Sequence, residues 1–226
     1  MLSSNVATFQ DNSAHGEDAY LIRDLGNNNF MDAVMDGVTG HGGEEASRSV
    51  MEALTAAHLA SPEDVVEALN EVNQEFYQVG GGKFLLTTVS VALYLDGRLH
   101  IISAGDSPVY LINSDSHRQL SGRVGGFLHV GVAQAIGSTD ELKNLRRIEA
   151  DIEPGTRLVL ATDGVSDNIT IDELVESVRN SASPEDAAQR INGAVAARVE
   201  AGVLPQELGG RFRHDDRTGI IRFFGS

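Results

Sequence analysis

Apolar and polar residues alternate along this chain in two periods, and the switch between them marks the elements. Residues 5 to 10 alternate weakly, as an edge strand does, and Ala19 to Ile22 reads as a second strand. Gly26-Asn-Asn-Asn29 is a hairpin-type turn. Phe30 to Met35 is apolar except for Asp32, the pattern of a largely buried strand. It stops at Asp36-Gly37, and Gly37, Gly40, Gly42 and Gly43 follow within seven residues, so the backbone there turns tightly or approaches something closely. The period then becomes helical, with Ala46, Val50, Ala53, Leu54 and Ala57 on one face. Ser61-Pro62-Glu63-Asp64 has the chemistry of a helix start. Val65, Leu69, Val72, Phe76 and Val79 give that helix an apolar face, and Gly80 to Gly82 end it.

The second half returns to period two. Phe84 to Leu95 is strand-like, Asp96-Gly97 is a two-residue hairpin signal, and Leu99 to Ala104 is the partner strand. Val109 to Ile112, Arg146 to Ile152 and Arg157 to Ala161 are further strands, with Glu153-Pro-Gly155 as a turn. Between 113 and 137 the glycines suggest loops around a short strand at 127–133. Thr170 and Glu173 form a capping box for a helix over 171–180. Ser183-Pro184 opens another helix carrying Ala187, Ala188, Ile191, Val195 and Val199. Gly219 to Phe224 is a closing strand.

Composition narrows the chemistry. A chain of 226 residues suits one domain with a sizeable core, or at most two small ones. Its net charge of −16 argues against nucleic acid or an anionic membrane as partner and leaves carboxylates to spare for a cation. The absence of cysteine excludes disulfides, zinc–thiolate sites and a cysteine nucleophile. No apolar stretch reaches a membrane span, and the expectation is a cytoplasmic monomer.

Acids mark the ends of five strand-like runs: Glu17 and Asp18 before one, Asp36, Asp106 and Asp163 after three, and Asp215 and Asp216 before the last. Any one is ordinary turn or cap chemistry. Gathered at one edge of a core they would raise each other's pKa, a conflict that a divalent cation removes. Oxygen-only ligands suit Mg²⁺ or Mn²⁺. Two such ions about 3.5–4 Å apart, bridged by an Asp and a water, would generate hydroxide in line with a phosphoester. A phosphate-cradling glycine loop is the competing reading of the 37–43 turn, but no lysine lies nearby and the spacing is not a dinucleotide fingerprint.

In this order the motifs resemble the metal-dependent type 2C serine/threonine protein phosphatases in their compact bacterial form, over about Asn12 to Phe224. Gly16-Glu17-Asp18-Ala19 is similar to that family's Asn-Glu-Asp-Ala. The stretch from Asp36 to Ser47 is similar to its Asp-Gly-Met-Gly-Gly-His segment with the following helix. Thr87-Thr88, Gly105-Asp106-Ser107, Thr162-Asp163-Gly164-Val-Ser-Asp167 and Asp215-Asp216-Arg-Thr218 resemble its remaining motifs. The resemblance implies an α+β fold of four layers, two packed antiparallel sheets flanked by helices. One phosphatase domain would span 1–226, with a short flap-like segment around 113–136. It also implies roles. Asp36 would bridge two metals and Gly37 would give one of them a carbonyl. Asp163 and Asp215 would bind the second, with Glu17 and Asp18 acting largely through water. Asp106, with Asp163, would hold a weaker third ion. Thr218 sets the register that selects Asp215 over Asp216.

The chain also departs from the family. Ser13 stands where an Arg usually grips the substrate phosphate, with His15 or Arg23 as the substitutes at hand. Pro108 follows Gly-Asp-Ser where Arg is usual, and the flap region lacks the usual Asp-His-Ser. His41 is a candidate proton donor to the leaving group, with loop packing as the alternative; His100 reads as structural. The implied activity is hydrolysis of phosphoserine or phosphothreonine in a phosphoprotein, the product of a serine/threonine kinase. A catalytically weak pseudophosphatase that binds phosphoprotein or metal is the alternative.

Overall fold

The computed structural model of the chain describes residues 2–122, 134–202, 208 and 214–225. Ten strands form two antiparallel five-stranded sheets. One has the order β1 (Ser3–Asp11), β10 (Arg217–Gly225), β9 (Arg157–Ala161), β6 (Val109–Ile112), β7 (His117–Gln119). The other runs β2 (Asp18–Gly26), β3 (Asn29–Asp36), β4 (Val89–Leu95), β5 (Arg98–Ala104), β8 (Arg146–Asp151). Helices α1 (Gly43–Ala56) and α2 (Pro62–Gly80) cover the second sheet; α4 (Ile171–Arg179) and α5 (Pro184–Ala201) cover the first. This is the four-layer α+β sandwich that the motifs implied.

Strand alternation sorts the core into three interlayers. Met31, Ala33 and Met35 of β3 join Val89, Val91 and Leu93 of β4 beneath α1 and α2. Phe30, Val34, Ala92 and Tyr94 face the opposite way and meet Leu158, Leu160, Ile220 and Phe224 between the sheets. Val159, Ala161 and Ile221 turn outward under α4 and α5. Asp32 shares the between-sheet side of β3 and is fully buried. Arg222 of β10 meets it with a fork of two bonds, Nε to Oδ2 at 2.7 Å and Nη2 to Oδ1 at 2.8 Å, and lies 3.8 Å from the centroid of the Phe30 ring. The polar break in the buried strand is therefore one half of an ion pair joining the two sheets.

Some sequence expectations need correction. Phe84 to Leu95 is not one strand: pairing begins at Val89, Leu85 has φ 58°, and Thr87 makes only isolated bridges to Gly37 and Ile136. Val79 is 73% exposed, because α2 runs past the edge of the core. Asn73 is buried there instead, accepting from Gly137 N–H at 2.8 Å and donating to Thr139 O at 3.0 Å. The three-residue β7 and the single turn α3 (Asp163–Ser166) are too short to carry a period. The strand expected at 127–133 lies outside the described residues.

Candidate active site

The acids arrive at one end of the sandwich by topology. Asp18 opens β2 and Asp36 closes β3, and they are direct cross-strand partners. Asp163 follows β9, Asp215 precedes β10, and Asp106 lies in the β5–β6 turn. The turn after Asp36 is locked through its backbone. The Asp36 carbonyl accepts from Thr88 N–H at 2.8 Å and from Thr87 Oγ1 at 2.9 Å, and Gly37 N–H donates to Glu17 O at 3.1 Å. Gly37 packs directly on the start of α1. A Cβ on Gly37 would lie 2.4 Å from the Gly43 carbonyl atoms, so only glycine permits this approach. Gly164 is constrained in the same way, since its Cβ would fall 1.8 Å from Asp216 O.

Asp216 holds the loop that carries Glu17. Its Oδ1 accepts from the N–H groups of Ala14 and His15 at 3.1 and 2.9 Å, and its Oδ2 from Glu17 N–H at 2.7 Å. The Glu17 side chain accepts from Thr39 Oγ1 at 2.5 Å. Asp18 is fixed by Thr162, whose hydroxyl donates to Oδ2 at 2.8 Å while accepting from Thr218 N–H at 2.9 Å. Sequence reasoning passed over Thr39, Thr162 and Asp216 as anchors. Thr162 and Asp216 sat inside quoted motifs; Thr39 stands where the resembling family's segment has Gly.

The electrostatics are those of crowded carboxylates. Burial, then the charges of Asp163 and Asp18, hold Asp36 well above the ordinary carboxylate range. Burial raises Asp18 to about 7 despite its bonds from Thr218 and Thr162, with Asp216 and Asp163 adding to the rise. Asp163 is pushed up to about 6, first by burial and then by the charges of Asp106, Asp167 and Asp215. Asp36 and Asp163 share a side-chain hydrogen bond. Among the described residues no three Asp, Glu or His side chains stand at mutual metal-ligating distance. The donor set nevertheless suits a hard divalent cation: all oxygen, largely buried, and mutually repelling once ionised. A cavity of about 220 Å³ opens beside Asp163, Asp106 and Asp167, walled by Tyr110, Ile169 and Leu208.

The remaining candidates separate. His15 lies on the clamped loop with Nε2 3.8 Å from Asp215 Oδ1. His41 Nδ1 is 2.7 Å from the Lys83 carbonyl, so that nitrogen donates and Nε2 faces the other way. Arg23 is five residues along β2 from Asp18, about 17 Å of strand. Its Nη1 donates to Leu54 O and Ala57 O at 2.9 and 2.8 Å, at the end of α1. The structure gathers His15 with the acids and commits the Arg23 guanidinium elsewhere. His100, in β5, has Nδ1 3.7 Å from Glu149 Oε1.

Sandwich and acid-lined end together define the class, a type 2C-like serine/threonine phosphatase fold. Within it the chain belongs to the Stage II sporulation protein E (SpoIIE) family, whose family model matches residues 31–222. Among solved structures it is similar to the serine/threonine phosphatase Stp1 from Staphylococcus aureus, with 20% identity, 100% and 96% of the two chains covered and a TM-score of 0.79. PppA of Pseudomonas aeruginosa, described as a key regulatory component of T6SS, is similar at 20% identity, 98% and 97% coverage and a TM-score of 0.78. The catalytic domain of the serine threonine protein phosphatase PstP, in complex with two manganese ions, is similar at 19% identity, complete coverage of both chains and a TM-score of 0.77. No curated protein sequence matches the chain.

Proposed function

We propose that this protein is a metal-dependent phosphoprotein phosphatase acting on phosphoserine or phosphothreonine. The observation that carries the reading is the convergence of Asp18, Asp36, Asp106, Asp163 and Asp215, from five separate segments, at one end of the sandwich. Three of them are held far above the ordinary carboxylate range by burial and by one another. Asp36, the Gly37 carbonyl, Asp163 and Asp215 would hold two divalent cations, Mn²⁺ or Mg²⁺. Glu17 and Asp18 would act through water and Asp106 at a weaker third position. PstP, bound to two manganese ions, supports the number of cations. When bound, the cations lower the pKa of water and neutralise charge developing on the phosphoryl group. The chain's own residues orient the rest. Asp216 and Thr39 fix Glu17, Thr162 fixes Asp18, and His15 offers an N–H toward the substrate phosphate where the resembling family has Arg. His41, with Nδ1 donating to Lys83, presents Nε2 for a proton relay to the leaving group.

The test is hydrolysis of para-nitrophenyl phosphate with Mn²⁺, with Mg²⁺ and with EDTA, beside Asp163→Asn. Turnover that requires metal and is lost in the variant supports the reading. A folded wild-type protein inactive with every metal overturns it.

A further inference from the structure

Among the described residues four strand edges lack a ladder partner, and three are blunted. β7 is three residues long. β8 carries Arg146, Arg147, Glu149 and Asp151 in six residues, the charged edge that discourages pairing. β1 lies against α5, with Ser3 to Val6 beside Ala182 to Glu185. The β2 edge is different. It runs nine residues with no Lys or Pro and no charge from Ala19 to Ile22, between Asp18 and the Arg23-Asp24 pair, and its register is regular from Asp18 to Asp24, about 20 Å of strand, before a bulge at Asp24/Gly26. Its odd-numbered backbone groups face β3, as Glu17 O does in accepting from Gly37 N–H. Its even-numbered groups point away, as Asp18 O does in accepting from Gln10 Nε2 and Asn12 Nδ2 at 3.1 and 2.8 Å. Beyond Asp18 those outward groups, on Tyr20 and Ile22, have no strand partner among the described residues.

A groove of about 560 Å³ follows this edge. Its floor is Tyr20 to Ile22, its far wall is α1 with Met51 and Arg48, and its upper end is Gly16 and Asp18. The groove therefore ends at Asp18, one member of the acid cluster. Building on the phosphatase reading, we infer that the β2 edge is the substrate-docking surface: the polypeptide flanking the phosphorylated residue adds to β2 as an extra strand. Main-chain hydrogen bonds to the outward groups of Tyr20 and Ile22 supply affinity, and Met51 takes an alternate apolar side chain. The phosphorylated residue then sits at the Asp18 end of the strand. The occupant is an extended, β-forming segment, because only a strand satisfies a row of backbone donors and acceptors spaced for a ladder.

The probe is a nonapeptide with a central phosphoserine flanked by alternating Val and Thr, compared with N-acetyl-phosphoserine amide and with para-nitrophenyl phosphate. The nonapeptide is expected to show a KM at least tenfold below that of the amide. N-methylation of its backbone, one residue at a time, is expected to raise KM at alternate positions only. Met51→Glu is expected to raise the nonapeptide KM at least fivefold while leaving para-nitrophenyl phosphate turnover unchanged. Equal KM values for nonapeptide and amide would overturn the inference, as would N-methylation costs without a period of two. So would a β2 edge occupied by a second copy of the chain, seen as a dimer by sedimentation. Para-nitrophenyl phosphate turnover reports the phosphatase reading independently of all of these.

Discussion

Replacing Asp163 by Asn should stabilise the metal-free protein, and the size of the gain should follow pH. Asp163 is 9% exposed and is held at about 6 against an ordinary value of 3.8. A difference of about two units corresponds to about 3 kcal/mol. The folded-state pKa lies above the unfolded one, so the associated stability is fully present below about pH 4 and is lost as pH climbs through 6. The wild-type fold thus bears about 3 kcal/mol of strain from this carboxyl at pH 8 and almost none at pH 4. Asn has the same shape and cannot ionise. The variant should therefore gain about 2–3 kcal/mol at pH 8 in EDTA and only about 1 kcal/mol at pH 4.5, read by urea denaturation with coincident probes. In a chain of this length that gain is a rise of about 4–10 °C in Tm. Saturating Mn²⁺ should narrow or close that gap. A ligand at a hundred times its Kd stabilises the wild type by about 2.7 kcal/mol, and the variant, lacking one of the proposed metal ligands, should gain less. A variant gain that is equal at pH 4.5 and pH 8, or a loss at both, would refute the crowded-carboxylate account.

Three further outcomes follow from packing and hydrogen bonding. Arg222→Met leaves fully buried Asp32 without its partner and should cost about 3–5 kcal/mol in urea denaturation, while Asp32→Leu with Arg222→Met should recover most of that loss. Gly37→Ala drives a Cβ into the Gly43 carbonyl and should eliminate turnover; wild-type activity in that variant would show that the β3–α1 contact is not needed. Thr39→Val keeps the shape but removes the bond to Glu17, so the Mn²⁺ dissociation constant measured by calorimetry should rise several-fold with folding stability nearly unchanged.

Much of the fold was legible because the core is built by strict alternation. In β3, Met31, Ala33 and Met35 serve one interlayer while Phe30 and Val34 serve the next. The helix starts at Ser61 and Ser183 were equally plain, since capping chemistry is local. What escaped depends on distant residues. Asp32 reads as a flaw in a strand until Arg222, 190 positions away, is placed against it. The break at 84–88 comes from Leu85, a residue whose type gives no warning of a left-handed backbone. Within the site the acids were visible as strand-end carboxylates, but their supports were not. The Asp216 carboxylate accepts three backbone N–H groups, and backbone donors leave no mark in a sequence.

The pairing of β1 with β10 has a consequence for how the molecule is assembled. Among the described residues β1 pairs only with β10, at registers such as Ser3 with Gly225 and Asp11 with Arg217. Asp215 and Asp216, immediately before β10, supply one acid of the cluster and the clamp on the Glu17 loop. A growing polypeptide therefore carries β1 unpaired and the acid cluster incomplete until β10 has been made. The other sheet, β2 to β8, has all its strands by residue 151 and can form first. On this geometry the acid cluster is completed late and all at once, so a chain that stops before β10 is a folding burden with an unfinished site.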